Sequence, residues 1–229
     1  MDPLRLAGEF VAERFPRAQI AIVAGSTARG TRTATSDIDL LLIGADMFDA
    51  ETNSLAATYA HAGEVFEVFA YTPEAFGEWA ASGVARFRPT IVDMLVNGSA
   101  VHDDGSLAAV RDRWRQVLDA GADPSPAQLA MRRYVVTDVL DDLADATDPL
   151  EAHVLMHTLF REVSELALLA NRRWIGAGKH LPRRLRDWDP ARASALADPY
   201  LSGDRAAFLA AAARELEAAG GRLQAGHVR

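Results

Sequence analysis

Two carboxylates near the start of the chain have the spacing that a metal-bound phosphate requires. Asp37 and Asp39 flank Ile38 and lead into the apolar run Leu40–Ile43, which is typical of a strand buried on both faces. Alternate residues of a strand point the same way, so the two carboxylates would project from one face about 6.6 Å apart. Hard oxygen ligands at that spacing suit one or two Mg²⁺ ions, which in turn hold the phosphates of a nucleotide.

A glycine–serine pair precedes these acids and could receive the phosphates. Gly25 and Ser26 follow the apolar segment Ile20–Ala24, which we expect to be a neighbouring strand. A small residue at that point lets phosphate oxygens approach the backbone, and the Ser26 hydroxyl can donate a hydrogen bond.

A third carboxylate lies within a later apolar segment. Glu67 is the central acid of VFEVFAY at residues 65–71, a run rich in β-branched and aromatic residues that predicts a strand. Buried charges are paired or coordinate metals, so we interpret Glu67 as a third metal ligand. The alternative is an edge strand that leaves Glu67 in solvent.

The elements that must position these residues change in type halfway along the chain. The first half alternates strand and helix patterns: helices are predicted over 4–14, 45–61, 86–96 and 107–118, another begins at Thr72-Pro73-Glu74, and a short strand covers 100–102. The second half has helix patterns alone, and Asp123-Pro124-Ser125-Pro126 punctuates the chain between the halves. We therefore predict an α/β plus all-α fold. Residues 1–121 form a small mixed sheet flanked by helices, and residues 122–229 form a helical bundle.

Composition excludes several classes of protein. The 229 residues carry a net charge of −8, which disfavours non-specific binding to nucleic acid. The chain contains no cysteine, so it has neither a disulfide framework nor a thiolate metal site. No signal peptide and no membrane-spanning apolar run are evident, and we expect a cytoplasmic protein without a membrane partner.

The stretch GSTARG…SDIDLLL, followed by an acid on a later strand, resembles the signature of the nucleotidyltransferase superfamily, which has the DNA polymerase β-like fold. The resemblance covers about residues 20–71. It implies that residues 1–121 are the catalytic domain and that Asp37, Asp39 and Glu67 are catalytic ligands of Mg²⁺. It also implies transfer of a nucleoside monophosphate from a nucleoside triphosphate to an acceptor hydroxyl, with release of pyrophosphate.

The same resemblance assigns residues to the nucleotide. It implies that Gly25 and Ser26 bind the triphosphate and that Arg29 and Ser36, on the same loop, assist. For Arg29 a solvated loop arginine is an equally supported interpretation.

An acidic stripe follows the catalytic half. Asp138, Asp141, Asp142 and Asp145 recur at helical spacing in RRYVVTDVLDDLADA, without an interleaved Lys or Arg. A solvated acidic face is the plain interpretation. This half is also similar to the small-molecule nucleotidyltransferases of the kanamycin-modifying type, in which the first helix of a helical substrate-binding domain supplies an acidic base. That similarity implies Asp141, and next Asp138, as the catalytic base, although Asp145 stands where the family has a lysine.

The most basic stretch of the chain surrounds Lys179 in NRRWIGAGKHLPRRL. Lys179 could replace the missing lysine and bind the triphosphate or pyrophosphate. The alternative is an ordinary basic turn whose arginines pair with surface acids.

Together these features predict an adenylyltransferase that uses Mg²⁺ and ATP on a hydroxyl of a small molecule. An aminoglycoside-like antibiotic would suit the acidic stripe, and the chain would then confer antibiotic resistance, as a homodimer by analogy with such enzymes. Two other interpretations stay open. One is an AMPylating, antitoxin-type enzyme that modifies a protein, and the other is a catalytically inactive nucleotide-binding module.

Overall fold

A computed structural model describes residues 2–49 and 51–224. The chain divides between Ala120 and Gly121 into two compact units. The first contains a five-stranded mixed sheet with helices, and the second is helical. The predicted fold class, α/β plus all-α, is confirmed.

The first unit alternates strands and helices. In chain order its elements are α1 (Pro3–Arg14), β1 (Ile20–Val23), α2 (Gly25–Ala28), β2 (Ile38–Ile43), β3 (Ser54–His61), β4 (Glu64–Tyr71), α3 (Pro73–Ala85), α4 (Thr90–Asn97), β5 (Ser99–Asp103) and α5 (Leu107–Ala120). The predicted strands at 20–24, 37–43 and 65–71 correspond to β1, β2 and β4. Helix α3 begins where predicted, because the Thr72 hydroxyl accepts a hydrogen bond from the Ala75 N–H at 3.2 Å.

Strand β2 lies at the centre of the sheet, whose order is β3-β4-β2-β1-β5. It runs antiparallel to β1 and parallel to β4. The end of β1 therefore meets the beginning of β2, and β4 passes the same point on the other side. This topology brings together three places in the chain that are separated by long connections.

The sheet is covered on both faces. Leu40 and Leu42 of β2 pack with α1 on one face, whereas Leu41 and Ile43 pack with α3, α4 and α5 on the other. Since side chains alternate along a strand, Asp37 and Asp39 share the α3–α5 face with Leu41 and lie beyond the apolar part of that face.

The helix predicted over 45–61 is wrong. Residues 54–61 form β3, which pairs antiparallel with β4 through the two-residue turn Ala62-Gly63. Leu55 and Tyr59 face the core, but the outward positions include Ala56 and Ala60. Alanine is a strong helix former, and on the exposed face it hid the alternation that identifies a strand.

The helix predicted over 86–96 begins late. Helix α3 continues to Ala85, and α4 covers only Thr90–Asn97. Phe87 between them has a positive φ of 60°, which is incompatible with a continuous helix.

The second unit is built from α6 (Pro126–Asp145), α7 (Pro149–Ala170), α8 (His180–Trp188), α9 (Pro190–Ser202) and α10 (Arg205–Ala218). Val136, Leu140 and Leu143 of α6 pack with α7, α9 and α10 in a separate hydrophobic core. The opposite face of α6 carries the acidic stripe. No helix in the described part of the chain is long and apolar enough to cross a membrane.

Candidate functional site

Three carboxylates converge at the beginning of β2. Asp37, Asp39 and Glu67 each present one oxygen within 4.8 Å of the oxygens of the other two. All three residues are half-buried. The first unit thus brings together all three acids that the sequence analysis singled out as metal ligands.

The strand register explains why Glu67 joins the aspartates. In the parallel pair of β2 and β4, Asp39 lies directly opposite Glu67. Register partners on neighbouring strands project from the same face of a sheet. A shift by one residue would place Glu67 on the opposite face.

Gly25 lies against Asp39. The N–H of Ala24 donates to the backbone carbonyl of Asp39 at 2.9 Å, which fixes the end of β1 beside the site. Gly25 has a φ of +63°, and a Cβ there would lie 2.7 Å from Cγ of Asp39. Glycine is required twice over here, by the left-handed backbone and by the approach of the carboxylate.

The three carboxylates suit a hard divalent cation. Mg–O distances of about 2.1 Å limit two ligands of one ion to a separation of about 4.2 Å, slightly less than the 4.8 Å upper bound found here. Two carboxylates this far apart repel each other by about 3 kcal/mol at an effective dielectric constant of about 20. A cation between them offsets that repulsion, so the donor set fits a metal.

The loop from Arg29 to Ser36 runs from α2 to the metal-ligand candidates. Arg29 is exposed. The Ser36 hydroxyl accepts from the Thr33 N–H at 2.9 Å and lies 2.9 Å from the Thr33 hydroxyl. The Ser36 side chain therefore closes a turn of this loop, a role that the sequence analysis did not foresee.

Arg32 and Glu64 form an ion pair that sequence reasoning missed. The Arg32 Nη1 donates to Glu64 Oε1 at 3.1 Å, Nη2 donates to Oε2, and Nη2 also donates to the Ser36 carbonyl at 2.9 Å. The hydrogen bonds from Arg32 lower the pKa of Glu64, and those to Glu64 raise the pKa of Arg32, with a smaller contribution from Asp37. The two residues are 32 positions apart, and no sequence pattern links them.

In the second unit Asp141 is half-buried and bound by residues near the end of the chain. Its Oδ2 accepts from Arg222, with which it forms an ion pair, and from the Gln224 side chain at 2.8 Å. The hydrogen bond from Arg222, reinforced by its charge and by Gln224, lowers the pKa of Asp141. A lowered pKa makes this carboxylate a weaker base while the pair is intact.

Of the three remaining predicted site residues, Ser26 is half-buried in α2, whereas Asp138 and Lys179 are exposed. Asp138 lies on the solvent side of α6, and Lys179 immediately precedes α8 without capping it through its side chain. Gly178, next to Lys179, has a φ of +50°, so the backbone turns sharply there.

Comparison with known proteins assigns the first unit to a family. Residues 4–77 match the family model described as "Nucleotidyltransferase domain". This range contains β1 to β4 and the three carboxylates. The predicted resemblance to the nucleotidyltransferase superfamily is confirmed, and the first unit carries a nucleotidyltransferase domain.

The fold of the chain is similar to that of a solved structure, a nucleotidyltransferase-like protein from Exiguobacterium sibiricum 255-15. The TM-score is 0.50 at 13% sequence identity, and the similarity covers 94% of this chain and 74% of the other. At this identity the likeness concerns the fold. No curated protein matches the chain.

Proposed function

We propose that the protein is a Mg²⁺-dependent adenylyltransferase that transfers AMP from ATP to a hydroxyl of a small molecule. The observation that carries this proposal is the convergence of Asp37, Asp39 and Glu67 beside Gly25 in a nucleotidyltransferase domain. Nucleotide transfer in general follows from the domain. The metal, the nucleotide and the acceptor are the proposal.

Each candidate site residue of the first unit has a part in the proposed reaction. The three carboxylates would hold the divalent cation, which neutralises charge on the triphosphate and acts as a Lewis acid. Gly25 leaves the backbone open to phosphate oxygens, and Ser26 and Arg29 offer donors to them. Ser36 contributes by shaping the loop that leads to Asp37.

The transfer itself is an in-line displacement. The acceptor oxygen attacks the α-phosphorus, the bond from that phosphorus to the bridging oxygen of the β-phosphate breaks, and pyrophosphate leaves. The hydroxyl proton passes to a carboxylate base. We assign the base to Asp141, with Asp138 as the second choice, and we assign Lys179 to the triphosphate or pyrophosphate.

The acidic stripe of α6 favours a cationic acceptor. Asp138, Asp142 and Asp145 are exposed, and a field of one sign raises the local concentration of an oppositely charged substrate. An aminoglycoside-like antibiotic has this charge together with many hydroxyls.

A transfer assay tests the proposal. The protein is incubated with Mg²⁺, ATP labelled on the α-phosphate, and aminoglycosides, neutral polyols or a protein acceptor, and the transferred label and pyrophosphate are both measured. We expect label on an aminoglycoside, and no transfer by Asp39→Asn. Label on a protein would instead identify an AMPylating enzyme, and Mg-ATP binding without turnover would identify an inactive nucleotide-binding module.

A pair of variants in the same assay assigns the base. General-base catalysis contributes about 10²- to 10⁴-fold, so Asp141→Asn should lower kcat by that factor while Asp138→Asn stays close to the wild type. The reverse result would move the base to Asp138, and two active variants would remove the base from this stripe.

A further inference from the structure

We infer that the Arg32–Glu64 pair is a positioning device that holds Asp37 in place to bind the metal. The inference rests on the proposed function, because it assumes that the three carboxylates form a cation site. Neither residue belongs to that set of ligands. Their role follows from what the guanidinium contacts.

Arg32 binds the peptide unit that leads into Asp37. Its Nη2 donates at 2.9 Å to the Ser36 carbonyl, which belongs to the peptide bond between Ser36 and Asp37. A rigid planar group with two points of attachment thus fixes the backbone directly before the ligand. Asp37 is the ligand that needs such support, since it precedes β2 and lies outside the strand ladder.

Glu64 provides the anchor for Arg32. The register of β2 and β4 begins at the pair of Ile38 and Phe66. Two positions earlier in the chain are Ser36, which precedes β2, and Glu64, the first residue of β4, and Arg32 joins these two positions. The Arg32 side chain therefore links the segment before β2 to β4 at the point where the backbone hydrogen bonding between β2 and β4 ends.

Stabilisation of the fold alone does not account for the Arg32–Glu64 pair. The two side chains are 23% and 35% exposed, so solvent screens their attraction and limits what the pair contributes to folding. In addition, the Arg32 Nε is buried and has no hydrogen-bond partner among residues 2–49 and 51–224, which counts against the folded state. A role in positioning the loop before Asp37 explains why the Arg32–Glu64 pair is present in spite of the cost of the buried Nε.

The direction in which metal affinity changes when Arg32 is removed separates positioning from simple electrostatics. Arg32 carries a positive charge near Asp37. If charge alone mattered, removal of this cation would strengthen binding of a divalent metal. If Arg32 holds the loop, its removal weakens metal binding.

The test is titration of Mn²⁺, as a probe of the Mg²⁺ site, into full-length protein without nucleotide, followed by electron paramagnetic resonance. We expect Arg32→Met to raise the Kd for Mn²⁺ by about 10- to 100-fold, the range found for residues that orient metal ligands. Glu64→Gln should weaken binding similarly, and the double variant should lose little more than either single one. Arg32→Lys, which keeps the charge without the fork, should also bind weakly.

Arg192→Met is the matched control. Arg192 also forms a bidentate ion pair, through Nε and Nη2, with Glu215 in the second unit, and its loss should leave the Kd for Mn²⁺ unchanged. Amide hydrogen exchange of residues 29–37 without metal gives an independent readout, since Arg32→Met and Arg32→Lys should both speed it.

The outcomes distinguish this inference from the proposed function. If the wild type binds Mn²⁺ and Arg32→Met binds equally or more tightly, the positioning role is wrong and the metal site stands. If the wild type does not bind Mn²⁺, both fail. If Arg32→Met does not fold, Arg32→Lys and Glu64→Gln decide, and wild-type affinity in both overturns the inference.

Discussion

Single residues decide whether this site can exist. Gly25 is the clearest case, because its neighbour is the carboxylate of Asp39 and any side chain would occupy that space. Glu67 is the second case, because its register with Asp39 determines which face of the sheet it joins.

Gly25→Ala should damage both stability and metal binding. An alanine in left-handed backbone costs about 1–2 kcal/mol, and its Cβ would displace the Asp39 carboxylate. Gly30→Ala is the matched control, since Gly30 has a similar φ of +67° but open space around it. Urea unfolding should show destabilisation of both variants, whereas a Mn²⁺ titration should show weakened binding only in Gly25→Ala. Equal Mn²⁺ affinity in the two variants would contradict the close approach described here.

For single residues, the sequence was most informative where the residues lie close together in the chain. The spacing of Asp37 and Asp39, and the placement of Glu67 in an apolar run, were enough to predict three acids on neighbouring strands. Arg32 with Glu64, and Asp141 with Arg222, could not be predicted, because each pair depends on tertiary contacts between distant segments.

Among the elements, the hairpin of β3 and β4 presents Glu67 to the site. Only one of its two strands could be predicted from the sequence. Strand β4 was evident from its β-branched and aromatic residues. Strand β3 was not, because alanine on the exposed face obscured the alternation and pairing with β4 outweighs the helix propensity of its residues. The Ala-Gly turn between the strands also lacks the Asn-Gly or Asp-Gly sequence that marks a tight hairpin.

This turn gives a prediction about the hairpin. Ala62 and Gly63 have φ values of 49° and 84°, the left-handed pair that a two-residue turn requires. Ala62→Asn should therefore raise the free energy of unfolding by about 0.5 kcal/mol, since asparagine tolerates this conformation, and Ala62→Val should lower it by about 1–2 kcal/mol. Urea unfolding of the full chain measures both changes. A valine variant as stable as the wild type would show that the turn does not have this geometry.

On the scale of the whole molecule, each unit has a hydrophobic core of its own. The change from alternating strands and helices to helices alone was visible in the sequence, because periodicity and Pro-rich punctuation are local signals. The first unit carries the site on a sheet that brings segments from residues 25 to 67 together. The function of the first unit therefore depends on whether the three converging carboxylates bind a metal.

The most direct measurement of this claim is the affinity of the full-length protein for Mn²⁺ in variants of each ligand. Asp37→Asn, Asp39→Asn and Glu67→Gln should each raise the Kd by at least about 10-fold, with the fold preserved by circular dichroism. Asp119→Asn, which changes an exposed acid of α5, should bind like the wild type. Three folded ligand variants that bind Mn²⁺ as tightly as the wild type would contradict the account.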